Sequence, residues 1–237
     1  MRATVTAVRH ETADSVTLTL RPNGNWQGFK AGQFVRLTVQ IDGVRRTRCY
    51  SPANSVHAAD GQIELTAKAH ATGFVSKYLH GKVEPGMVVT LSQADGSFAL
   101  PEQRPGRVLL ISGGSGITPV MSMLRTLCDE NHPGRITFLH YANTARDVIY
   151  AAELARIAGL SASAIRVAMA RQAGARPYEE GGAPDGETVR VLPLANALLN
   201  RCVDESGTGR VVARVANVRL CRCGASATKP FCDGSHA

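Results

Sequence analysis

The run Arg107-Val-Leu-Leu-Ile-Ser112 passes without a break into Gly113-Gly114-Ser115-Gly116-Ile117-Thr118-Pro119, and this succession narrows the fold of the chain more than any other stretch. A continuous apolar run reads as a strand buried on both faces, as in a parallel sheet. Three glycines within four residues let the backbone turn sharply. Thr118 suits the N-cap of a following helix and Pro119 its first position, ahead of the apolar-periodic Val120 to Cys128. Strand, glycine turn and helix make a βα unit, and the free N–H groups at such a helix N-terminus bind phosphate.

The alternation continues for two more strands. Arg135 to Tyr141 reads as a strand, Val148 to Ala158 as a helix and Ala164 to Ala170 as a third strand, the pattern of a parallel sheet with right-handed crossovers. Then it stops. Gln172 to Glu187 is rich in Gly, Pro and Glu, the composition of a linker or long loop. Beyond it, Thr188 to Leu192, Arg210 to Val215 and Val218 to Leu220 read as short strands. A three-stranded parallel sheet leaves an open edge, which proteins usually cover. The last part of the chain is expected to pack there.

From Met1 to about Leu100 the period changes to two. Thr4 to His10, Ser15 to Leu20, Gln33 to Gln40 and Gln62 to Lys68 alternate like strands, separated by turn residues. Asp42-Gly43 between two β-rich runs is a strong hairpin signal. Many short strands at this spacing indicate an antiparallel barrel or sandwich. Gly73 to His80 reads as a short helix.

The stretch Cys221 to His236 spaces three cysteines and a histidine as C-x-C-x8-C-x3-H, a set of soft ligands for zinc or an iron–sulfur cluster. A one-residue gap between the first two cysteines is unusual for zinc. Cys49, Cys128 and Cys202 are scattered, which fits a reducing cytoplasm better than a disulfide framework. No signal peptide and no apolar run of membrane-spanning length is read in the chain. The net charge of +8 is spread along the sequence without a nucleic-acid motif, so no nucleic-acid partner is expected.

Two resemblances give these elements an identity. The last stretch resembles the CDGSH iron–sulfur family, with Cys221, Cys223, Ser226, Pro230, Cys232, Asp233, Gly234, Ser235 and His236 all in register. That resemblance implies a [2Fe–2S] cluster held by Cys221, Cys223, Cys232 and His236. An imidazole ligand raises the potential and makes the cluster sensitive to pH. The first part resembles the ferredoxin–NADP reductase family, especially the reductase components of oxygenases and desaturases. Ala31-Gly-Gln-Phe-Val35, the R-x-Y-S of Arg48, Cys49, Tyr50 and Ser51, the G-x-V-S of Gly73, Val75 and Ser76, and the G-G-x-G-x-[ST]-P of Gly113, Gly114, Ser115, Gly116, Thr118 and Pro119 carry it in family order. It implies a flavin site at Arg48, Cys49, Tyr50, Ser51, Gly73, Val75 and Ser76, with FAD favoured over FMN because the G-x-V-S helix suits a pyrophosphate. It also implies an NAD(P)H loop at Gly113 to Thr118.

The resulting architecture is multidomain. Residues 1–103 are a FAD-binding antiparallel β-barrel, 104–172 a partial α/β parallel-sheet NAD(P)-binding domain, 173–186 a linker, and 187–237 a small β-rich CDGSH [2Fe–2S] domain. The family's later strands, its C-G-P segment and its terminal aromatic do not appear. The expected activity is electron transfer from NAD(P)H through FAD to the cluster and on to an oxygenase, desaturase or ferredoxin-like protein. The alternative is a redox- or pH-sensing, cluster-transferring flavoprotein without productive NAD(P)H oxidation. No general acid or base is assigned, and His70 and His80 are given no catalytic role. Arg146 and Arg171 are basic candidates near the adenosine ribose, and a homodimer joined through the cluster domains is compatible with one motif per chain.

Overall fold

The computed structural model describes residues 1–58, 61–142, 144–160 and 165–171. The barrel is built from β1 (Arg2–Thr12), β2 (Ser15–Pro22), β3 (Val35–Ile41), β4 (Val44–Tyr50), β5 (Ile63–Lys68) and β6 (Val88–Leu91), with helix α1 (Phe74–Gly81) between the last two strands. All strand pairs are antiparallel, in the order β4-β3-β6-β1-β2-β5. The hairpin between β3 and β4 turns on Asp42 (φ 50°) and Gly43 (φ 77°), two left-handed residues in a two-residue loop that matches strand twist. Period-two alternation puts Val35, Leu37 and Val39 of β3 inside, against Val16, Leu18, Leu20, Ile63, Leu65 and Leu91.

The two outermost strands of this order, β4 and β5, meet through the chain that leaves β4. Pro52 opposes Leu65 in a single bridge, and the Ala53 N–H donates to the Glu64 carbonyl at 2.8 Å. The sheet therefore closes at the point where Arg48 to Ser51 runs out. Helix α1 packs beside this seam, burying Val75 and Leu79 in the barrel core.

The second unit is a parallel sheet of β7 (Arg107–Gly113), β8 (Arg135–Ala142) and β9 (Ile165–Arg171), in sequence order, with α2 (Ile117–Asp129) and α3 (Ala151–Leu160) as crossovers. Leu110 lies opposite Phe138 and Val108 opposite Ile136, so these four share a face, and α2 and α3 both pack on it. This follows from handedness: two right-handed crossovers stepping the same way put their helices on the same side. Among the described residues, the outer edge of β7 has no partner strand.

Two boundaries differ from the sequence reading. The N-cap of α2 is Gly116, not Thr118, which sits in the first turn with its hydroxyl 3.5 Å from the Ser115 carbonyl. Pro119 still costs nothing there, because first-turn N–H groups lack intrahelical partners. Helix α3 starts at Ala151, three residues later than the periodicity suggests, because Val148, Ile149 and Tyr150 enter the core ahead of it. Tyr150 takes a left-handed φ of 63° to do so.

Barrel and sheet share one core. Ala31, Ala53 and Leu100 of the barrel cluster with Ile117, Val120 and Met123 of α2. Gly32 (φ 104°) lies so close to Met123 and to the Phe98 carbonyl that any side chain would collide with both. No described helix is long and apolar enough to cross a membrane.

Candidate functional site

Directly opposed residues of an antiparallel pair share a face. Val35 opposes Tyr50, Leu37 opposes Arg48 and Val39 opposes Arg46, so Arg46, Arg48 and Tyr50 lie on one side of β4. That side looks toward α1: the Arg46 guanidinium carbon sits 4.7 Å from the centroid of the Phe74 ring. Tyr50 packs against the barrel core, and burial pushes its phenol up to about 12, so it stays neutral. Arg48 is exposed and, among the described residues, donates to the neighbouring Thr47 carbonyl at 2.8 Å. Cys49 is not brought to this face. It opposes Arg36 on the other side of the hairpin and is an exposed free thiol.

Gly73 is the N-cap of α1, and no side chain caps the helix. A Cβ at Gly73 would collide with the Ser76 hydroxyl, which itself accepts the His70 N–H at 3.2 Å. Ser76 thus holds the loop that leads into the helix, and Gly73 leaves room for it. Val75 points inward at 2% exposure.

The glycine loop is a tight turn, Gly114–Gly116, between β7 and α2. It packs against β5, the strand that leads to α1. Gly114 has φ 51°, and α2 begins at Gly116 with no side-chain cap. A Cβ on Gly116 would touch nothing within 4 Å, and its φ of −69° suits any residue. Nothing among the described residues requires glycine at this position, whereas a ligand approaching the α2 N–H groups would. Two uncapped helix starts thus lie against β5, one of them also beside β4.

Behind the loop, His140 of β8 is fully buried, its Nδ1 2.8 Å from the Ser112 hydroxyl and its Nε2 without a partner among the described residues. Burial, with a smaller contribution from Lys68, lowers its pKa to about 4.

The residues present fit the implied groups. Arg48 and the two uncapped helix starts suit phosphates, while Tyr50 offers an apolar ring for a planar one. Three thiolates and an imidazole suit an iron–sulfur cluster. Cys221, Cys223, Cys232 and His236 lie outside the described residues, among which no His/Cys/Asp/Glu group could hold a metal ion. Strand alternation from Arg48 and Tyr50 reaches Arg46 but not its contact with Phe74.

Comparison with known proteins divides the chain in three. Residues 2–100 match the oxidoreductase FAD-binding domain, 110–193 the oxidoreductase NAD-binding domain, and 185–237 the CDGSH-type iron-binding zinc finger. A NADPH oxidoreductase of Mycobacterium tuberculosis is 40% identical over 161 residues, covering 67% of this chain and 42% of that protein. The glycine betaine monooxygenase reductase subunit of Chromohalobacter salexigens is 36% identical over 129 residues, 54% of this chain and 35% of that one. The chain spans about two fifths of the length of these curated relatives. Among solved structures, the FAD/NAD-binding domain of a Vibrio cholerae nitric oxide dioxygenase superposes with a TM-score of 0.64 at 25% identity, over 82% of this chain and 83% of that one. An Amycolatopsis cytochrome P450 reductase gives 0.63 at 26%, over 74% and 54%.

Proposed function

The chain belongs to the FAD- and NAD-binding oxidoreductases of the ferredoxin–NADP reductase family and carries a CDGSH-type iron-binding domain over residues 185–237, and on that footing we propose that it passes electrons from NAD(P)H through FAD to a [2Fe–2S] cluster and on to a protein acceptor. The observation that carries this reading is the placement of the Arg48 and Tyr50 face and the uncapped glycine loop beside the same strand, β5. Flavin, when bound, supplies the conversion of a two-electron donor into single-electron delivery. Arg48 neutralises phosphate, Tyr50 covers one side of the ring system, and Gly73 to Ser76 set the pyrophosphate helix. Ser51 follows Tyr50 at the closing seam, and Gly113 to Thr118 present backbone N–H groups to the nucleotide. Cys221, Cys223, Cys232 and His236 hold the cluster.

The domain limits given by the sequence, 1–103, 104–172 and 187–237 about a linker at 173–186, remain the working division. The names of the monooxygenase reductase relatives support an oxygenase as acceptor, and the M. tuberculosis relative supports NADPH as donor. Arg146 and Arg171 follow or end β8 and β9 beyond the glycine loop, where a ribose phosphate would need cations. The scattered cysteines support a cytoplasmic setting, and a homodimer would pair through the cluster domains, one motif per chain. The second reading, a sensor or cluster carrier without NAD(P)H oxidation, is favoured by the small nucleotide sheet, three strands among the described residues.

The test is an anaerobic visible spectrum of the reconstituted protein before and after NADPH or NADH. Bleaching of flavin and cluster bands together is the expected result. Bands that respond to dithionite and to neither nucleotide would move the assignment to the second reading.

A finer prediction concerns the loop. Gly116→Val will leave thermal stability within about 1 kcal/mol, since its side chain meets open space. It will weaken NAD(P)H binding about 10- to 150-fold, the loss of one charge-assisted hydrogen bond worth about 1.5–3 kcal/mol. Thermal unfolding checks the first side of the claim, and equilibrium titration of the oxidised protein with NADP⁺ checks the second.

A further inference from the structure

Helix α2 enters the shared core with Val120, Met121, Met123, Leu124 and Leu127, yet Ser122 and Thr126 among them are fully buried too. A buried hydroxyl is costly unless it is hydrogen-bonded, and both of these reach the same short segment of the barrel. The Ser122 hydroxyl donates to the Asn54 carbonyl at 2.7 Å, and the Thr126 hydroxyl accepts the Val56 N–H at 3.3 Å. Arg125, on the same helix face, donates to the Ala53 carbonyl at 2.9 Å. From the other side β5 holds the segment: the Ala53 N–H donates to the Glu64 carbonyl, and the Asn54 side chain accepts the Glu64 N–H at 2.9 Å and donates to the Gln62 carbonyl at 3.0 Å. Residues 53–56 are thus fixed between the barrel and α2. Apolar packing is non-directional and tolerates sliding, whereas hydrogen bonds to successive backbone groups set a register. The segment begins just after Ser51, and Ser122 lies about 9 Å along the helix from the glycine loop.

We infer that Ser122 and Thr126 are positioning residues for hydride transfer, setting the distance between the nucleotide seat at the start of α2 and the flavin strand that ends at Ser51. The inference rests on the reductase reading above and deepens it. In that reading a hydride leaves C4 of the nicotinamide with both electrons and bonds to N5 of the flavin, giving NAD(P)⁺ and the reduced flavin anion. The reacting atoms must stand about 3–3.5 Å apart, and a displacement of about 1 Å costs about 100-fold in rate. Both hydroxyls are engaged with the barrel backbone, so their removal changes the rate and leaves cofactor affinity alone.

The experiment uses the full-length protein loaded with FAD, and its Ser122→Ala, Thr126→Val and Thr126→Ser variants. Rapid anaerobic mixing with NADPH or NADH reads the limiting rate of flavin reduction, and titrations read the dissociation constants of FAD and NADP⁺. The limiting rate should fall about 10- to 100-fold in Ser122→Ala and Thr126→Val, with both dissociation constants at their wild-type values. Thr126→Ser keeps the hydroxyl and should keep the rate. A second readout needs no cofactor: in the apoprotein the Val56 amide should exchange its hydrogen about 5-fold faster in Thr126→Val, the effect of losing one hydrogen bond. An unchanged rate in both Ser122→Ala and Thr126→Val would overturn the inference. So would a rate loss matched by equal losses of FAD and NADP⁺ affinity, or one as large in Thr126→Ser as in Thr126→Val. Wild-type protein whose flavin is reduced by dithionite and by neither nucleotide would overturn the reductase reading itself, a different failure.

Discussion

Replacing Arg125 with methionine will lower the melting temperature by roughly 10 °C, a loss of about 3 kcal/mol for leaving partly buried carboxylates without their charged donor. Arg125 lies on α2, yet its side chain leaves the sheet domain for the barrel. Its Nε and Nη2 donate to the two oxygens of Glu153 at 2.9 and 2.5 Å, and Nη1 donates to Glu64 Oε2 and to the Ala53 carbonyl, both at 2.9 Å. Its guanidinium carbon also sits 4.9 Å from the centroid of the buried Tyr150 ring. Each of these partners supports the seam where the barrel closes or the start of α3. Methionine keeps the length and apolar stem, so what the variant loses is charge and hydrogen bonding. Glu153 would then lose its partner and Glu64 would keep only the looser contact with Arg9 at 3.8 Å, both carboxylates sitting beside a core at only about a quarter exposure. Thermal unfolding followed by circular dichroism checks the shift. A change below about 2 °C would mean that the apolar interface alone joins the domains.

The second large effect is a loss of stability in acid that disappears with His140. Burial, reinforced by the nearby Lys68 charge, depresses the folded-state pKa to about 4, against about 6.5 for a free imidazole. As pH falls below 6.5 the unfolded chain takes up this proton first, and the folded chain follows only near pH 4. Stability is therefore full above about pH 6.5 and falls by about 3 kcal/mol on the way to pH 4. Glu130, whose hydrogen bonds from Arg104 hold it down to about 2, keeps its contribution above the ordinary carboxylate value of 4.5 and loses it as pH falls from there towards 2, so most of the histidine's loss comes first. Urea unfolding of wild type and His140→Gln at pH 7.0 and 4.5 should show the wild type losing more on acidification. Parallel losses would place the acid sensitivity elsewhere.

Much of this architecture is legible in local pattern. Asp42-Gly43 announces its hairpin, and the apolar run before Gly113 announces a parallel strand. These signals work because turn chemistry and side-chain period are local properties. What they miss is non-local. The Pro52–Leu65 bridge that closes the barrel depends on how six strands curl, and no residue nearby encodes it. Arg125 reads as one more polar residue on a helix, because only the docked barrel turns that position into an interface. Gly116 caps α2 ahead of Thr118 because the fold leaves the helix start open. The site is legible in the same degree: alternation along β4 predicts that Arg48 and Tyr50 share a face and that Cys49 does not. It cannot show that Phe74 of a separate element lies under Arg46.

The place of β6 in the barrel has a kinetic side. This four-residue strand separates β3 from β1 and so joins the β4-β3 hairpin to the β1-β2-β5 meander. Arg2 pairs with Thr90, 88 residues further on. At a synthesis rate of about 5–20 residues per second, the growing chain holds one edge of β1 unpaired for roughly 4–18 s. Contacts of such sequence separation are slow to form even in a complete chain. A nascent chain stalled before Val88 to Leu91 would therefore present two open β-edges, those of β3 and β1, to its neighbours.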